Sequence, residues 1–278
     1  MIRFIRTIFN RPFFIRPFEY LTGTRAYAKI PMGVDPFVDI EYYITNFELK
    51  TIFDVGANIG QTSRHYRKQN ESAEIYSFEP VKETYNQLIN NTSNHNINCF
   101  NYALGNESGQ KKMSVNNNID FCVSNTILET EKNDNVESLL AAAETVIANS
   151  KASKVIHSRH SFSSEMVTIE KLDNFVVNNN IRHINYLKID TEGYDLEVLK
   201  GAKQLIQDKQ IDFIEAEVSM NPTNEFHVSF TEIKEFMLIH DYLIFGLYEQ
   251  ILDFKIEKPV LRRSNVVFIS PSVYNKKP

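Results

Sequence analysis

The chain has 278 residues, 42% hydrophobic and 23% charged, enough to bury a substantial core and ordinary for a globular protein. A formal net charge of -5 and a pI near 5.9 supply no general field for gripping a phosphate backbone, which disfavours nucleic acid and points to a small molecule or glycan as partner. Cys99 and Cys122 are too few for a disulfide framework and form no Cys-x-x-Cys pair, which argues against structural zinc and fits a reducing, cytoplasmic setting. At about 100° per residue, Ile2, Phe4, Ile5, Ile8 and Phe9 fall on one side of a short helix, opposite Arg3, Arg6 and Asn10, and Pro12 would stop it. Such a basic amphipathic helix docks on its own domain, on a second subunit of a homodimer, or on an anionic membrane. No apolar run approaches the length of a membrane span. Residues 1–45 therefore read as an extension and 46–278 as the main domain.

From Thr51 the chain alternates short apolar runs with segments of helical character: TIFDV, then Gln61 to Lys68; EIYSF, then Val81 to Asn90; NCFNYAL; YLKID, then Leu196 to Gln207; and DFIEAEV. That alternation predicts a doubly wound α/β fold with a mostly parallel sheet. A helix over Thr231 to His240 precedes LIFGLY and NVVFIS, two strands suited to an antiparallel edge. The rhythm breaks between Lys112 and Glu170, where an Asn-rich stretch leads to the Ala-rich helical segment LLAAAETVIA. An interruption of this size, around 112–166, predicts a lid or substrate loop that carries Ser124, Thr126, His157 and His160; a tolerated surface insertion is the plainer reading.

The tightest turn lies in TIFDVGANIGQT. A strand that reverses straight into a helix leaves the helix's first N–H groups and its positive dipole end free for an anionic or polar ligand. A phosphate-binding loop would need Gly-Lys-Ser/Thr, but Gly60 is followed by Gln61 and Thr62; a dinucleotide fingerprint would need a glycine where Asn58 stands. The pattern that fits is Asp54-x-Gly56-x-Asn58-x-Gly60, with Glu79 closing the second strand, where a carboxylate can accept both hydroxyls of a ribose. Gly56 allows close backbone approach, and Asn58 tolerates a left-handed conformation. A nucleoside with a polar amino-acid tail suits this constellation, namely S-adenosylmethionine.

DVGANIG, FEP, the YALG of Tyr102 to Gly105, LDNF, YLKIDTEGYDLEVLKGA and HDYLIFGLYE occur in the order of the landmarks of the FkbM-type methyltransferases, which the chain resembles over roughly Ile52 to Ile269. The resemblance implies a Rossmann-like seven-stranded sheet and an S-adenosylmethionine-dependent O-methyltransferase acting on a hydroxyl of a sugar, glycan precursor or related metabolite. It further implies that Asp54, Gly56, Ala57, Asn58 and Gly60, continuing into Gln61 and Thr62, hold the methionine end. Glu79, followed by Pro80, would take the ribose, Asn101, Tyr102 and Ala103 the adenine, and Asp190 the methionyl or substrate side. Nitrogen or carboxylate methylation, or a non-catalytic nucleoside-binding module, would use the same cofactor residues.

Methyl transfer to a hydroxyl requires alignment, exclusion of water and removal of a proton. Asp190 and Glu192 follow the fourth strand at its carboxyl end, where open α/β sheets place ligands. Glu192 equally fits a turn leading into the next helix. His227, in the loop after the fifth strand, would be in reach of a substrate as base, although a lone loop histidine is otherwise a surface residue. Asp190 with Glu217 could bind a divalent cation. Two carboxylates without a clear third ligand also describe an ordinary polar pocket, and the sequence commits to no metal. Tyr194, Tyr242 and Tyr248 read as packing residues with a polar tip.

Overall fold

The computed structural model describes residues 31–116, 126–127, 162–222, 224, 227–252 and 260–276. The amphipathic stretch at residues 2–10, LLAAAETVIA, Ser124, His157 and His160 lie outside the described residues. The chain divides into two compact units, Met1–Asn46 and Phe47–Pro278. In the first, helix α1 (Pro36–Tyr43) starts where Asp35 caps the N–H groups of Phe37 and Val38 and Pro36 supplies a first position that needs no donor.

The second unit is built on a seven-stranded sheet. Its elements in chain order are β1 (Thr51–Val55), α2 (Gln61–Gln69), β2 (Glu74–Phe78), α3 (Lys82–Thr92) and β3 (Ile97–Phe100), then, after a second sheet, α4 (Leu172–Asn178), β8 (Ile184–Ile189), α5 (Asp195–Gly201), α6 (Lys203–Gln207), β9 (Ile211–Ser219), α7 (Phe230–Leu238), β10 (Leu243–Leu252), β11 (Leu261–Ile269) and α8 (Pro271–Tyr274). The strand order is β10-β11-β9-β8-β1-β2-β3. β1, β2, β3, β8 and β9 run parallel, while β11 is antiparallel to both β9 and β10 and so stands one place in from the edge. From β1 the chain winds outward through β2 and β3 and returns on the other side as β8. This reversal opens a crevice at the carboxyl ends of β1 and β8.

The two faces of the sheet differ because alternate residues of a strand point opposite ways. On one face Phe53, Phe78, Leu187 and Ile189 join the core beneath α4, whose Phe175 meets Phe78 edge-on with centroids 4.9 Å apart. The other face carries a buried polar layer. Asp54, Lys188 and Glu215 are in register across β1, β8 and β9. Ser63 of α2 donates to Asp54 at 2.5 Å, Tyr186 donates to Glu215 at 2.5 Å, and Asn265 donates to Glu215 at 2.8 Å. Buried charges persist only where such partners surround them.

The second sheet has the order β4-β7-β5-β6, from β4 (Ala103–Leu104), β5 (Gly109–Asn116), β6 (Thr126–Ile127) and β7 (Phe162–Glu170). The ends of the segment expected to interrupt the fold thus pair with each other: β5 and β7 run antiparallel from Gly109 opposite Ile169 to Asn116 opposite Phe162. Just after β4 the backbone passes closely over the end of α5, since a Cβ placed on Gly201 would lie 1.9 Å from the carbonyl oxygen of Gly105. Among the described residues, no helix is long and apolar enough to cross a membrane.

Candidate active site

The turn between β1 and α2 needs three left-handed residues in five, and the sequence supplies the types that tolerate them: Gly56 at φ 83°, Asn58 at 49° and Gly60 at 86°. The N–H groups of Gly56 and Ala57 both donate to Phe78 O, which pins the turn to the end of β2. Gly56 also lies against β8, because a Cβ there would be 1.9 Å from Asp190 O. Gly60 caps α2 and abuts Leu88 and Thr92 of α3.

Glu79 ends β2 with both carboxylate oxygens aimed back at backbone. It accepts from Asn58 N at 3.1 Å and Val81 N at 2.9 Å, and its burial pushes the pKa up to about 7. Asn101 braces this corner by donating to the carbonyls of Glu79 and Pro80.

A cavity of about 210 Å³ opens between the turn, the end of β2 and the carboxyl end of β8. Of the residues singled out from the sequence, Gly56, Asn58, Gln61, Thr62, Glu79, Pro80, Ala103, Asp190 and Glu192 line it. Asp54, Ala57, Gly60, Asn101 and Tyr102 are not among the lining residues. Sequence reasoning missed Thr84, Leu104 and Met113, and read Tyr194 as packing alone; all four line the cavity. The side-chain oxygen Oδ1 of Asn58 is buried without a hydrogen-bond partner, an acceptor left over at the cavity's edge.

Lys188 was also missed, although a lysine inside the apolar run YLKID had to find a partner. Its ammonium lies 2.9 Å from Asp190 and 3.9 Å from Asp54. Burial opposes its charge, but the two carboxylates outweigh burial and hold it above the ordinary lysine value. In return, although burial works against the Asp190 carboxylate, Lys188 draws its pKa down. Asp54, fully buried, is pushed up by desolvation despite Lys188 and Ser63.

Beyond Asp190 the chain turns through Glu192 at φ 52° and Gly193 at φ 99° into α5, with Asp195 accepting from Thr191 Oγ1 at 2.8 Å. Burial and the nearby Asp190 charge raise Glu192 to about 7. His227 is not a surface residue: its side chain is 6% exposed, with Nε2 at 2.5 Å from Glu217 Oε2 and 3.5 Å from Glu192 Oε2. Its Nδ1 faces the amide of Asn224 at 3.2 to 3.3 Å. Arg263 of β11 pairs with the other oxygen of Glu217. Asp190 and Glu217, considered together from the sequence as cation ligands, therefore have separate partners, Lys188 for the first and His227 with Arg263 for the second. A second, wider cavity begins here, lined by Tyr194, Asn221, His227, Phe230 and Thr231 among others. Tyr194 borders both cavities.

A doubly wound sheet with a glycine-rich turn, an acidic second-strand end and a cavity at the switch point defines a nucleoside-cofactor-binding protein of the Rossmann-like class. A family model of the methyltransferase FkbM domain matches residues 54–244. The chain belongs to the FkbM methyltransferase family, and S-adenosylmethionine is its cofactor. It is 24% identical over 184 residues to "Methyltransferase 1" of Beauveria bassiana (strain ARSEF 2860), covering 64% of this chain and 68% of the relative. It is 27% identical over 176 residues to "Methyltransferase sdnD" of Sordaria araneosa, covering 60% and 66%. Among solved structures, fibrillarin of Aeropyrum pernix with natively bound S-adenosyl-L-methionine aligns at 11% identity with a TM-score of 0.40, over 80% of this chain and 67% of that one.

Proposed function

We propose that this methyltransferase transfers its methyl group to a hydroxyl of a sugar, glycan precursor or related polyhydroxylated metabolite. The carrying observation is the polar boundary between the two cavities, where Glu192 lines the first and His227, lining the second, stands 3.5 Å from Glu192 and 2.5 Å from Glu217. A hydroxyl, unlike a thioether or an unprotonated amine, must lose a proton as it attacks, and carboxylates with an imidazole suit that demand. The second cavity's lining supports the same reading. Asn221 and Thr231 offer hydrogen bonds to hydroxyls, and Tyr194 and Phe230 offer aromatic faces to the C–H side of a sugar ring.

S-adenosylmethionine supplies an electrophilic methyl group on a sulfonium. Around it, the reading gives Glu79 the ribose hydroxyls, Asn58 Oδ1 the methionine ammonium and the N-terminus of α2 the methionine carboxylate. Pro80, Ala103, Leu104 and Met113 give the cavity its apolar wall, suited to the adenine. Asp190, fixed by Lys188, holds a charge between donor and acceptor. The test is transfer of a labelled methyl group to matched panels of hydroxyl, amine and carboxylate acceptors, with products read by mass spectrometry. Label entering hydroxylated acceptors is expected; label confined to amines or carboxylates would overturn the reading.

A further inference from the structure

Glu192, Glu217 and His227 come from three places, the turn after β8, the end of β9 and the loop after β9. Yet one ligand atom from each lies within 4.8 Å of the other two. Atoms bound to one cation at about 2.0 to 2.3 Å are separated by up to about 4.6 Å, so small side-chain adjustments bring all three onto a common ion. A second observation is independent of that spacing. Glu217 Oε2 and His227 Nε2 are both buried and neither has a hydrogen-bond partner, although they stand 2.5 Å apart. The carboxylate oxygen is therefore off the line on which the ring nitrogen would donate, and the two buried atoms meet as an ion-pair contact without a hydrogen bond.

The remaining atoms of these side chains are already engaged. Glu217 Oε1 takes Arg263, and Asn224 holds His227 Nδ1, the kind of outer contact that orients a metal-bound imidazole. Glu192 occupies a left-handed conformation, which costs a non-glycine residue energy, and its carboxylate lies 3.5 Å from His227 Nε2. With His227 neutral, as a metal-bound imidazole must be, two carboxylates face the single charge of Arg263 while Lys188 is committed to Asp190 and Asp54, so a cation would balance the cluster.

We propose that Glu192, Glu217 and His227 form a divalent-cation site on the boundary between the donor and acceptor cavities. One imidazole nitrogen with two carboxylate oxygens is a donor set for a first-row ion such as Mn²⁺ or Zn²⁺ rather than Mg²⁺ or Ca²⁺. Three protein ligands leave positions for an exchangeable oxygen, and a hydroxyl bound there becomes more acidic. That last role rests on the hydroxyl reading above; the site does not.

The test uses the full chain, treated with chelator and dialysed, then titrated calorimetrically with MnCl₂ and separately with ZnCl₂. One saturable site per chain is expected for at least one of the two ions, weakened tenfold or more in Glu217→Gln and His227→Ala. Glu192→Gln, at the more exposed ligand, serves where a replacement of a buried group unfolds the chain. No saturable binding of either ion, or unchanged affinity in folded Glu192→Gln and His227→Ala, would overturn the site. The two readings fail separately. Stoichiometric ion binding with label found only on amines removes the hydroxyl reading and keeps the site. Hydroxyl transfer that survives chelator, without ion binding, removes the site and keeps the reading.

Discussion

Glu79 is asked to be charged in a place that opposes charge. Burial raises it to about 7 from an ordinary 4.5, so the folded chain binds this proton more tightly than the unfolded one. Its contribution to fold stability is complete below 4.5 and is lost as pH rises through about 7. Donor binding runs the other way, because the ribose hydroxyls need the ionised carboxylate. Affinity for S-adenosylmethionine should fall as pH drops through about 7 in calorimetric titrations, and Glu79→Gln should flatten that curve. Glu79→Ala should cost about 1.5 to 3 kcal/mol, roughly tenfold or more in affinity.

Lys188 poses the opposite problem: a cation wedged between two anions. Lys188→Met should destabilise the chain by about 3 to 5 kcal/mol in urea unfolding, because Asp54 is left buried with no counter-charge and only the Ser63 hydroxyl to support it. Asp190→Asn keeps the shape and removes the charge, so the expected effect is a fall in turnover of about 10² to 10⁴ at saturating donor and acceptor, together with a lowered unfolding midpoint because the buried Lys188 loses its nearer counter-charge. Near-normal turnover would take Asp190 out of the chemistry. The sequence named Glu192 and His227 from their positions after strands and Glu217 only beside Asp190, never the three together. Their convergence was illegible because it depends on how far the loop after β9 folds back. Lys188 was legible in principle, since strand alternation puts it on the same side as Asp190.

At the scale of elements, the β1–α2 turn works because it is pressed against its neighbours. Gly56→Ala would put a methyl group into the Asp190 carbonyl at an unfavourable φ, so either the turn or the end of β8 must move. Donor affinity should drop tenfold or more while circular dichroism stays that of the wild type; an unchanged dissociation constant would show that the turn does not need this approach. The position of the turn was readable because its glycines and asparagine are demanded locally. The small sheet was not. β5 and β7 pair across more than forty intervening residues, and each lies beside polar sequence, so the Lys112–Glu170 stretch read as an interruption although its ends are strands that wall the donor cavity through Met113.

Across the whole molecule, that cavity is enclosed by parts remote in sequence: the first turn, the end of β2, the small sheet and the end of β8. A ligand touching all of them favours the folded state, and at a hundred times its dissociation constant S-adenosylmethionine should add about 2.7 kcal/mol of stability. Thermal melts should shift upward with donor concentration, and a midpoint indifferent to donor would contradict this enclosure. The large sheet was the most legible feature because alternating strand and helix patterns leave few topologies open.

The crossing of Gly105 over Gly201 sets a rule for recombining this enzyme with its siblings. A side chain at 201 would require the chain at 105 to take another path, so the two positions must be inherited together. A chimera should therefore take its junctions after Asn116 and before Phe162. Such a splice exchanges the intervening span as a cassette while the donor-binding frame, with both glycines, passes unchanged from one parent.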